Sequence, residues 1–478
     1  MLFQMMITHG YCPSELILGT MTPIPKTKGV ASNSDKYRAI TLSCCIGKLF
    51  DVTVLMKYGD EMQTSTLQFG FKKSASAPMC TTVLREVASH YINNGSQVYS
   101  LLLDATKAFD RVEYTRLFNL LLDRKMNVMY IRCLLHMYTS QTLRVQWQGC
   151  FSETFTVMNG VKQGGVISPT LFGVYIEKLM EKLHETKAGC YVGPYFVGSL
   201  AYADDLVLLS PSKAGLKKLM LTCEKFSQEY KVQFNGSKSQ FLIFHKDKVK
   251  PLDDCVTFCG SQIKNQEHAI HLGNKIYANL KLDGIAGVTA SFYKQVNMFI
   301  SKFKRIPSFI QAKLYLQYCS SFYGLQLLQA KNYNKLEVAW RKSLRRIWRL
   351  SNLTQCSLVR CLSSGACIKH MLITRFMNFA KSLLCQKEGV IRYIAENALV
   401  NDISVFGNNY KLFADISLNL DDNLNAKIGE HCNRTCKKDQ DRSLASVLTE
   451  LCCMRDGTMD CLLTPEEVQI LIDNICIF

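Results

Sequence analysis

The chain has 478 residues and a formal net charge of +18 at pH 7, from 57 Lys and Arg against 39 Asp and Glu. With 48% hydrophobic and 10% aromatic residues it is neither disordered nor collagen-like, and its length allows about three domains with a buried core. The positive surplus predicts a polyanionic partner, nucleic acid in preference to a membrane.

The 21 cysteines include no pair at C-x-x-C spacing, which argues against zinc ribbons and redox motifs. We therefore expect free thiols in a reducing intracellular compartment, the nucleus or the cytoplasm. No clear targeting signal and no apolar run of about 18 residues is present, so no membrane partner is expected. One set of metal-ligating residue types matches no familiar zinc module and is interpreted as packing: Cys255, Cys259, His268 and His271.

The first 97 residues are mixed in pattern, and turn-forming residues around Pro23, Pro25, Gly29 and Asn33 predict loops there. Val98–Leu103 is an apolar run of strand length, and a helical repeat of leucines follows at 117, 120 and 121.

Ser168 and Pro169 form an N-cap and first-turn pair that predicts the start of a helix. Residues 198–210 are typical of a strand, a polar turn and a second strand, and another helical repeat runs from 216 to 226. From about residue 290 onward the pattern is mainly helical. Without a Gly-rich phosphate loop, the alternation favours a mixed α+β core over a doubly wound nucleotide-binding sheet.

Aspartate pairs are the first sign of chemistry. Pairs at 253–254 and 421–422 lie in polar stretches and read as solvated turns, whereas Asp204 and Asp205 lie between two apolar strands. Two like charges beside an apolar sheet destabilise it unless a cation offsets them. Asp104 also ends an apolar run, so neighbouring strands would bring it to Asp204, and such a cluster of hard oxygens suits Mg²⁺. The alternative is two unrelated aspartates at strand ends.

Six segments in order resemble the conserved motifs of reverse transcriptases, and more narrowly those of non-LTR (LINE-type) retrotransposons. Two are similar to fingers motifs and four to palm motifs: 37–42, 68–71, 103–110, 160–169, 202–205 and 234–238. Together they cover about residues 10 to 275, and the segments 318–350 and 448–475 resemble later parts of such elements. The resemblance implies a right-hand polymerase with fingers, an α+β palm built on an antiparallel sheet, and a helical thumb.

The resemblance also implies a reaction, RNA-directed DNA synthesis from dNTPs on an RNA template and a DNA primer, with two Mg²⁺ ions or Mn²⁺ as a substitute. Asp104 and Asp204 would bridge the ions, with Asp205 as the supporting carboxylate. Phe109 would occupy the space of a ribose 2′-hydroxyl and so select deoxynucleotides. The implied nucleotide-binding residues are Lys26, Arg38, Ala105, Phe109, Gln163 and Lys238, where Arg38 grips the triphosphate and Lys238 protonates the pyrophosphate.

A basic region follows the motifs: between Ala290 and Arg349, twelve Lys or Arg accompany one acid, Glu337. Leu336, Trp340, Leu344 and Ile347 form an apolar stripe, and the cations fall largely on the other faces. Such a helix can follow phosphates, and the resemblance assigns it to the thumb. The predicted nucleic-acid-binding residues are Lys335, Arg341, Lys342, Arg345, Arg346 and Arg349.

The predicted organisation is fingers 1–97, palm 98–250, a hairpin region 251–285, thumb 286–385 and a helical extension 386–478. Because the motifs begin at the fingers and no candidate endonuclease cluster precedes Lys26, we expect an N-terminally truncated element. Two alternatives stay open: an RNA-directed RNA polymerase, which Phe109 disfavours, and a catalytically inactive fragment that only binds nucleic acid. The oligomeric state is not predicted.

Overall fold

The computed structural model describes residues 1–26, 33–246, 254–280, 284–354, 356, 359, 368–386 and 389–413. The chain divides into two units, the first made of Met1–Gly273 and Tyr277–Leu280, the second of Asn274–Ile276 and everything from residue 281 onward. This boundary falls inside the predicted hairpin region, and the finer division stays a prediction. Asp253, Asp421, Asp422 and the segment 448–475 lie outside the described residues.

Helices and strands of the first unit alternate along the chain. The helices are α1 Leu2–His9, α2 Ser14–Ile17, α3 Cys45–Tyr58, α4 Ala77–Asn93, α5 Tyr114–Asp123, α6 Val128–Thr139, α7 Ser168–Glu185 and α8 Lys213–Tyr230. The strands are β1 Gly19–Pro25, β2 Tyr37–Ser43, β3 Val98–Leu103, β4 Ala105–Thr106, β5 Thr142–Trp147, β6 Cys150–Phe151, β7 Phe155–Thr156, β8 Tyr191–Val192, β9 Tyr195–Phe196, β10 Ser199–Tyr202, β11 Asp205–Ser210, β12 Gln233–Phe234, β13 Gln240–Phe244, β14 Cys255–Phe258, β15 Ser261–Lys264 and β16 His268–His271. A last strand, β17 Asn274–Tyr277, contains the unit boundary.

The first sheet has the strand order β2-β1-β5-β6, with β7 also paired to β5. It corrects the expectation of loops at Pro23 and Pro25, since both lie in β1 opposite Ala39 and Tyr37 of β2. β5 pairs with β1 only as far as Met21. A proline has no N–H for a second neighbour, and beyond Met21 β1 needs none.

The second sheet is antiparallel throughout, in the order β10-β11-β3-β13. Helices α4, α7 and α8 pack against it, and the apolar positions predicted for α7 and α8 are buried. Helix α7 begins at Ser168 as predicted, but Ile167 occupies the N-cap position and no side chain caps it. The predicted mixed α+β palm with an antiparallel sheet is therefore confirmed.

The four residues of the candidate zinc set differ in burial, since His268 is exposed and Cys255 is partly exposed. His271 is buried and its Nδ1 lies 3.0 Å from the hydroxyl of Thr81, while Cys259 is exposed. Burial lowers the pKa of His271 to about 4, so the ring is neutral near pH 7. Every cysteine that the structure describes is a free thiol.

The second unit is helical, with α9 Gly284–Lys302, α10 Ser308–Tyr318, α11 Tyr333–Ile347, α12 Ile368–Leu384, α13 Val390–Val400 and α14 Val405–Leu412. Trp340 of α11 packs in an aromatic core, 4.5 Å from the ring centroid of Tyr315 and 6.1 Å from that of Phe292. Within the described part of the chain, no helix combines the length and apolar character needed to cross a bilayer.

Candidate active site

Asp204 and Asp205 lie at the tip of a tight hairpin, as predicted. Tyr202 at the end of β10 pairs with Asp205 at the start of β11, which leaves Ala203 and Asp204 as the two turn residues. Ala203 has a φ of +58°, in the left-handed region that an alanine rarely adopts. The turn projects beyond an apolar sheet edge and holds two acidic side chains in adjacent positions.

Asp104 lies beside this hairpin because its strand is the next one in the sheet. Leu103, the last residue of β3, pairs with Leu206 of β11, so Asp104 and Asp205 follow at the same edge. Loss of solvating water, together with the smaller effect of the charges of Asp204 and Asp104, raises the pKa of Asp205 to about 6. Loss of water and the charge of Asp104 also raise the pKa of Asp204, against a lowering by its own backbone hydrogen bond and by Arg38.

These carboxylates suit a hard divalent cation in their chemistry. All three offer oxygen donors, and the repulsion that raises the pKa values of Asp204 and Asp205 is what a cation would relieve. No group of three or more His, Cys, Asp or Glu side chains in the described residues already converges as a closed ligand set. The fit to divalent ions therefore rests on the oxygen chemistry of the three side chains and on their place at one sheet edge.

The backbone of Asp104 is anchored by the segment that follows α8. The N–H of Asn235 donates to the carbonyl oxygen of Asp104 at 2.8 Å, and the N–H of Asp104 donates to the Ser239 hydroxyl at 3.4 Å. Lys238 lies in the same segment, with Nζ 4.0 Å from Oδ2 of Asp104, and both side chains remain solvent-accessible. The structure thus brings the predicted lysine to the carboxylate site. Ala105, also a predicted site residue, pairs with Phe234 in the adjoining β4–β12 ladder.

Phe109 lies in a short 3₁₀ turn, Phe109–Arg111, directly after the Asp104 strand. Its ring stacks on Phe172 of α7 at 4.5 Å between centroids and meets Phe71 edge-on at 6.0 Å. Phe172 is buried, whereas Phe71 is 59% exposed and Phe109 is partly exposed. A flat ring braced from behind and from one side is held in one orientation, which a residue that excludes a hydroxyl group by shape requires.

Gln163 is held by two hydrogen bonds, one to its backbone and one from its side chain. Its carbonyl oxygen accepts from the N–H of Thr41 in β2 at 2.7 Å, and its side-chain amide donates to Asp110 at 3.0 Å. Gly164 has a φ of +106°, and an added Cβ would lie 3.0 Å from the carbonyl oxygen of Thr41, so the close approach needs glycine.

Arg38 and Lys26 belong to the β1–β2 hairpin. Arg38 is exposed opposite Ile24, and its charge lowers the pKa of Asp204, so it lies within electrostatic reach of the carboxylates. Lys26 follows β1 and its backbone N–H donates to the carbonyl oxygen of Lys36 at 2.8 Å. The strand pairing places both cations at the same end of this hairpin.

Two contributors lacked a predicted role. Asp110 ends the motif 103–110 and accepts a hydrogen bond from the Gln163 side-chain amide. Gln68, in the second fingers-like motif, is 2% exposed and bonds to the Ala203 peptide groups. Both contacts link residues more than 50 positions apart, so no local pattern could have indicated them.

The basic helix is α11, and its predicted apolar stripe is buried at Leu336, Trp340, Leu344 and Ile347. Lys335, Lys342, Arg346 and Arg349 are exposed, whereas Arg341 is half-buried and pairs with Glu337 at 3.4 Å. Arg346 also donates to the side chain of Asn297 at 2.8 Å.

Arg345 corrects the prediction that this set faces solvent. It is 8% exposed, and its guanidinium donates twice to the carbonyl oxygen of Thr354, at 2.7 and 3.2 Å. A buried guanidinium that donates to a backbone carbonyl is unavailable to a phosphate, so Arg345 does not belong to the exposed basic face of α11.

Among curated relatives, the chain is 25% identical over 241 residues to the "Retrovirus-related Pol polyprotein from type-1 retrotransposable element R2" of Nasonia vitripennis, covering 50% of this chain and 23% of that protein. It is 23% identical over 369 residues to the "RNA-directed DNA polymerase from mobile element jockey" of Drosophila melanogaster, covering 73% of this chain and 39% of that protein. The chain thus spans well under half the length of these relatives.

Among solved structures, apo telomerase from Candida tropicalis matches with a TM-score of 0.40 and 13% identity, covering 92% of this chain and 69% of that one. The family model described as "Reverse transcriptase (RNA-dependent DNA polymerase)" matches residues 24–272, which include all six motifs and the three aspartates. That match extends over more than half of the sequence, and this chain therefore belongs to the reverse transcriptase family.

Proposed function

We propose that this chain catalyses RNA-directed DNA synthesis, adding dNTPs to the 3′-hydroxyl of a DNA primer on an RNA template with two divalent ions, Mg²⁺ or Mn²⁺. The observation that supports the proposal most directly is the placement of Asp104, Asp204 and Asp205 at one edge of an antiparallel sheet. Loss of water, and after it the neighbouring carboxylates, raise the pKa values of Asp204 and Asp205, and a bound divalent cation would stabilise their charged forms.

In the proposed step, the primer 3′-hydroxyl loses its proton to solvent and its oxygen forms a bond to the α-phosphorus of the dNTP. The bond between the α-phosphorus and the oxygen that bridges to the β-phosphorus breaks and releases pyrophosphate. Bound divalent ions would lower the pKa of the attacking hydroxyl and neutralise charge on the phosphates. Asp104 and Asp204 would hold them, with Asp205 in support. Arg38 and Lys26 would grip the triphosphate by charge and hydrogen bonds, and Lys238 would supply a proton to the leaving pyrophosphate.

Selection of deoxynucleotides is assigned to Phe109. The ring cannot swing away from a ribose 2′-hydroxyl, because Phe172 and Phe71 occupy two of its sides. Gln163 and Ala105 would complete the nucleotide site, where Asp110 keeps the Gln163 amide in place.

The exposed face of α11 is proposed to follow the phosphates of the template and primer, through Lys335, Lys342, Arg346 and Arg349, with Arg341 beside them. On this reading the predicted fingers, palm, hairpin region, thumb and extension keep the boundaries given above. Nothing in the reaction requires a membrane partner.

Primer extension by the purified chain on an RNA template tests the proposal. Asp204→Asn should abolish incorporation, whereas Asp123→Asn, the same change on an exposed helix position, should leave it intact. Extension from rNTPs in preference to dNTPs would favour an RNA polymerase. Salt-dependent nucleic-acid binding with no synthesis under either metal would favour the inactive-fragment alternative.

A further inference from the structure

The turn that holds Asp204 contains a conformational strain that its own sequence does not relieve. Ala203 adopts a φ of +58°, in the left-handed region that disfavours an L-residue with a Cβ. The adjacent carboxylates add mutual repulsion at the same turn. Groups outside the hairpin must therefore hold it in place.

A segment from the fingers-like motif lies along the outer edge of β10 and provides such groups. The N–H of Phe69 donates to the carbonyl oxygen of Ala201 at 2.7 Å, and the N–H of Ala201 donates to the carbonyl oxygen of Leu67 at 2.9 Å. These bonds form an isolated parallel bridge between Gln68 and Ala201. The segment thus extends the sheet next to the strand that enters the turn.

The Gln68 side chain continues this pairing where the strand ends. Its Oε1 accepts from the N–H of Ala203 at 3.1 Å and from the N–H of Gly70 at 2.9 Å, and its Nε2 donates to the carbonyl oxygen of Ala203 at 3.4 Å. One amide therefore binds both peptide groups that flank the strained Cα. At 2% exposure water does not compete for these bonds.

Gly70 closes the contact from the other side. A Cβ built on Gly70 would lie 2.4 Å from the Ala203 nitrogen, so the backbone reaches the turn only because this residue has no side chain. The motif residues 68 and 70 therefore act on the same peptide unit, one by hydrogen bonds and one by leaving space.

We propose that Gln68 is a positioning residue that fixes the Ala203–Asp204 turn so that the Asp204 carboxylate is presented for divalent-ion binding. It touches neither substrate nor ion. The importance of Gln68 for catalysis rests on the proposed function. Its effect on ion binding can be measured without any catalysis.

The experiment is a Mn²⁺ titration of the full chain without dNTP, monitored by electron paramagnetic resonance. The Mn²⁺ binding that is lost in Asp204→Asn identifies the site. Gln68→Met keeps the side-chain length and removes all three hydrogen bonds, and Gly70→Ala crowds the turn while keeping Gln68. The matched control is Gln141→Met, since Gln141 is equally buried at 2% exposure and lies outside the site. Circular dichroism and melting temperature report folding of each variant.

Gln68→Met and Gly70→Ala should weaken Mn²⁺ binding by about 10- to 100-fold, the usual effect of removing a group that orients a ligand, while Gln141→Met binds as the unmodified chain does. Ala203→Gly, which adopts positive φ without strain, should recover part of the loss in Gln68→Met. If Gln68→Met does not fold, Gly70→Ala decides.

Unchanged Mn²⁺ affinity in both site variants, an equal loss in Gln141→Met, or an unmodified chain that binds no Mn²⁺ through Asp204 would overturn the inference. A chain that binds Mn²⁺ through Asp204 and extends no primer would instead refute the proposed polymerase activity and leave the role of Gln68 standing.

Discussion

A buried carboxylate under the Gln163 loop gives a testable dependence of stability on pH. Asp51 of α3 is 8% exposed, and loss of water raises its pKa from 3.8 to about 6, against lowering by Lys162 and by the backbone N–H groups of Ile167 and Val166. Burial in turn lowers the pKa of Lys162, which Asp51 raises. The pair therefore anchors the segment that leads from Gln163 into α7.

The sign follows from which state binds the proton. Between pH 6 and pH 4 the folded chain holds a proton on Asp51 that the unfolded chain releases, so this group stabilises the fold as the pH falls through about 6. From pH 7.5 to pH 5 the contribution is about tenfold in the unfolding equilibrium constant, a little over 1 kcal/mol. His271, whose pKa is lowered to about 4, acts in the opposite direction, so total stability does not isolate Asp51.

The measurement is therefore the difference in the free energy of unfolding between the unmodified chain and Asp51→Asn. Urea unfolding is monitored by hydrogen exchange in α3 and α7, so that unfolding of the first unit is observed separately from that of the second. The difference should favour the unmodified chain about tenfold more at pH 5 than at pH 7.5. In a Lys162→Met background the lowering by Lys162 is gone, so the midpoint of this change should move to higher pH. Asp123→Asn serves as the exposed control. A difference that is flat across the range, or a midpoint indifferent to Lys162→Met, would show that Asp51 ionises as an ordinary surface carboxylate.

Three further predictions concern the candidate active site and helix α11. Phe109→Val should raise rNTP incorporation relative to dNTP by about 10- to 100-fold, measured as the ratio of kcat/KM values, and an unchanged ratio would exclude Phe109 as the sugar gate. Gly160→Ala should destabilise the chain well beyond Gly149→Ala, because both glycines have positive φ (+93° and +84°) but only at Gly160 would a Cβ meet backbone, 2.8 Å from Asp110; equal losses in urea unfolding would refute the steric argument. Lys342→Ala should lower the salt dependence of nucleic-acid binding by about one counterion, whereas Arg345→Ala should lower stability instead, and a reversed pattern would restore Arg345 to the binding face.

The sequence predicted the centre of the site because that centre is built from local patterns. Val98–Leu103 is mostly apolar and is followed by Asp104, and two apolar strands joined by a two-residue turn flank Asp204. Antiparallel pairing of β3 with β11 is the one non-local fact, and the shared edge follows from it.

Burial at element edges could not be predicted in the same way. Arg345 follows Leu344 on the border of the apolar stripe, where helical periodicity alone is compatible with either a buried or an exposed side chain. The carbonyl of Thr354, in the segment after the helix, decides the matter by accepting its guanidinium. The prediction of loops at Pro23 and Pro25 was wrong for a similar reason. Whether these prolines fit in β1 depends on where β5 stops pairing with it, which is not visible in the local sequence.

The remaining motif residues divide into groups with a proposed role in the reaction and groups that form hydrogen bonds to them. Asp104 is held through its backbone by Asn235 and Ser239, Gln163 by Thr41 and Asp110, and the Asp204 turn by Gln68. Each of these contacts joins a motif to a different motif or, for Ser239, to the residue that follows one, so a substitution in one motif should disturb the geometry of another. Substitutions at the hydrogen-bonding groups should therefore alter ion or nucleotide affinity with the reacting groups still present, and pairs of substitutions across one such contact should be non-additive, whereas pairs drawn from separate contacts should add.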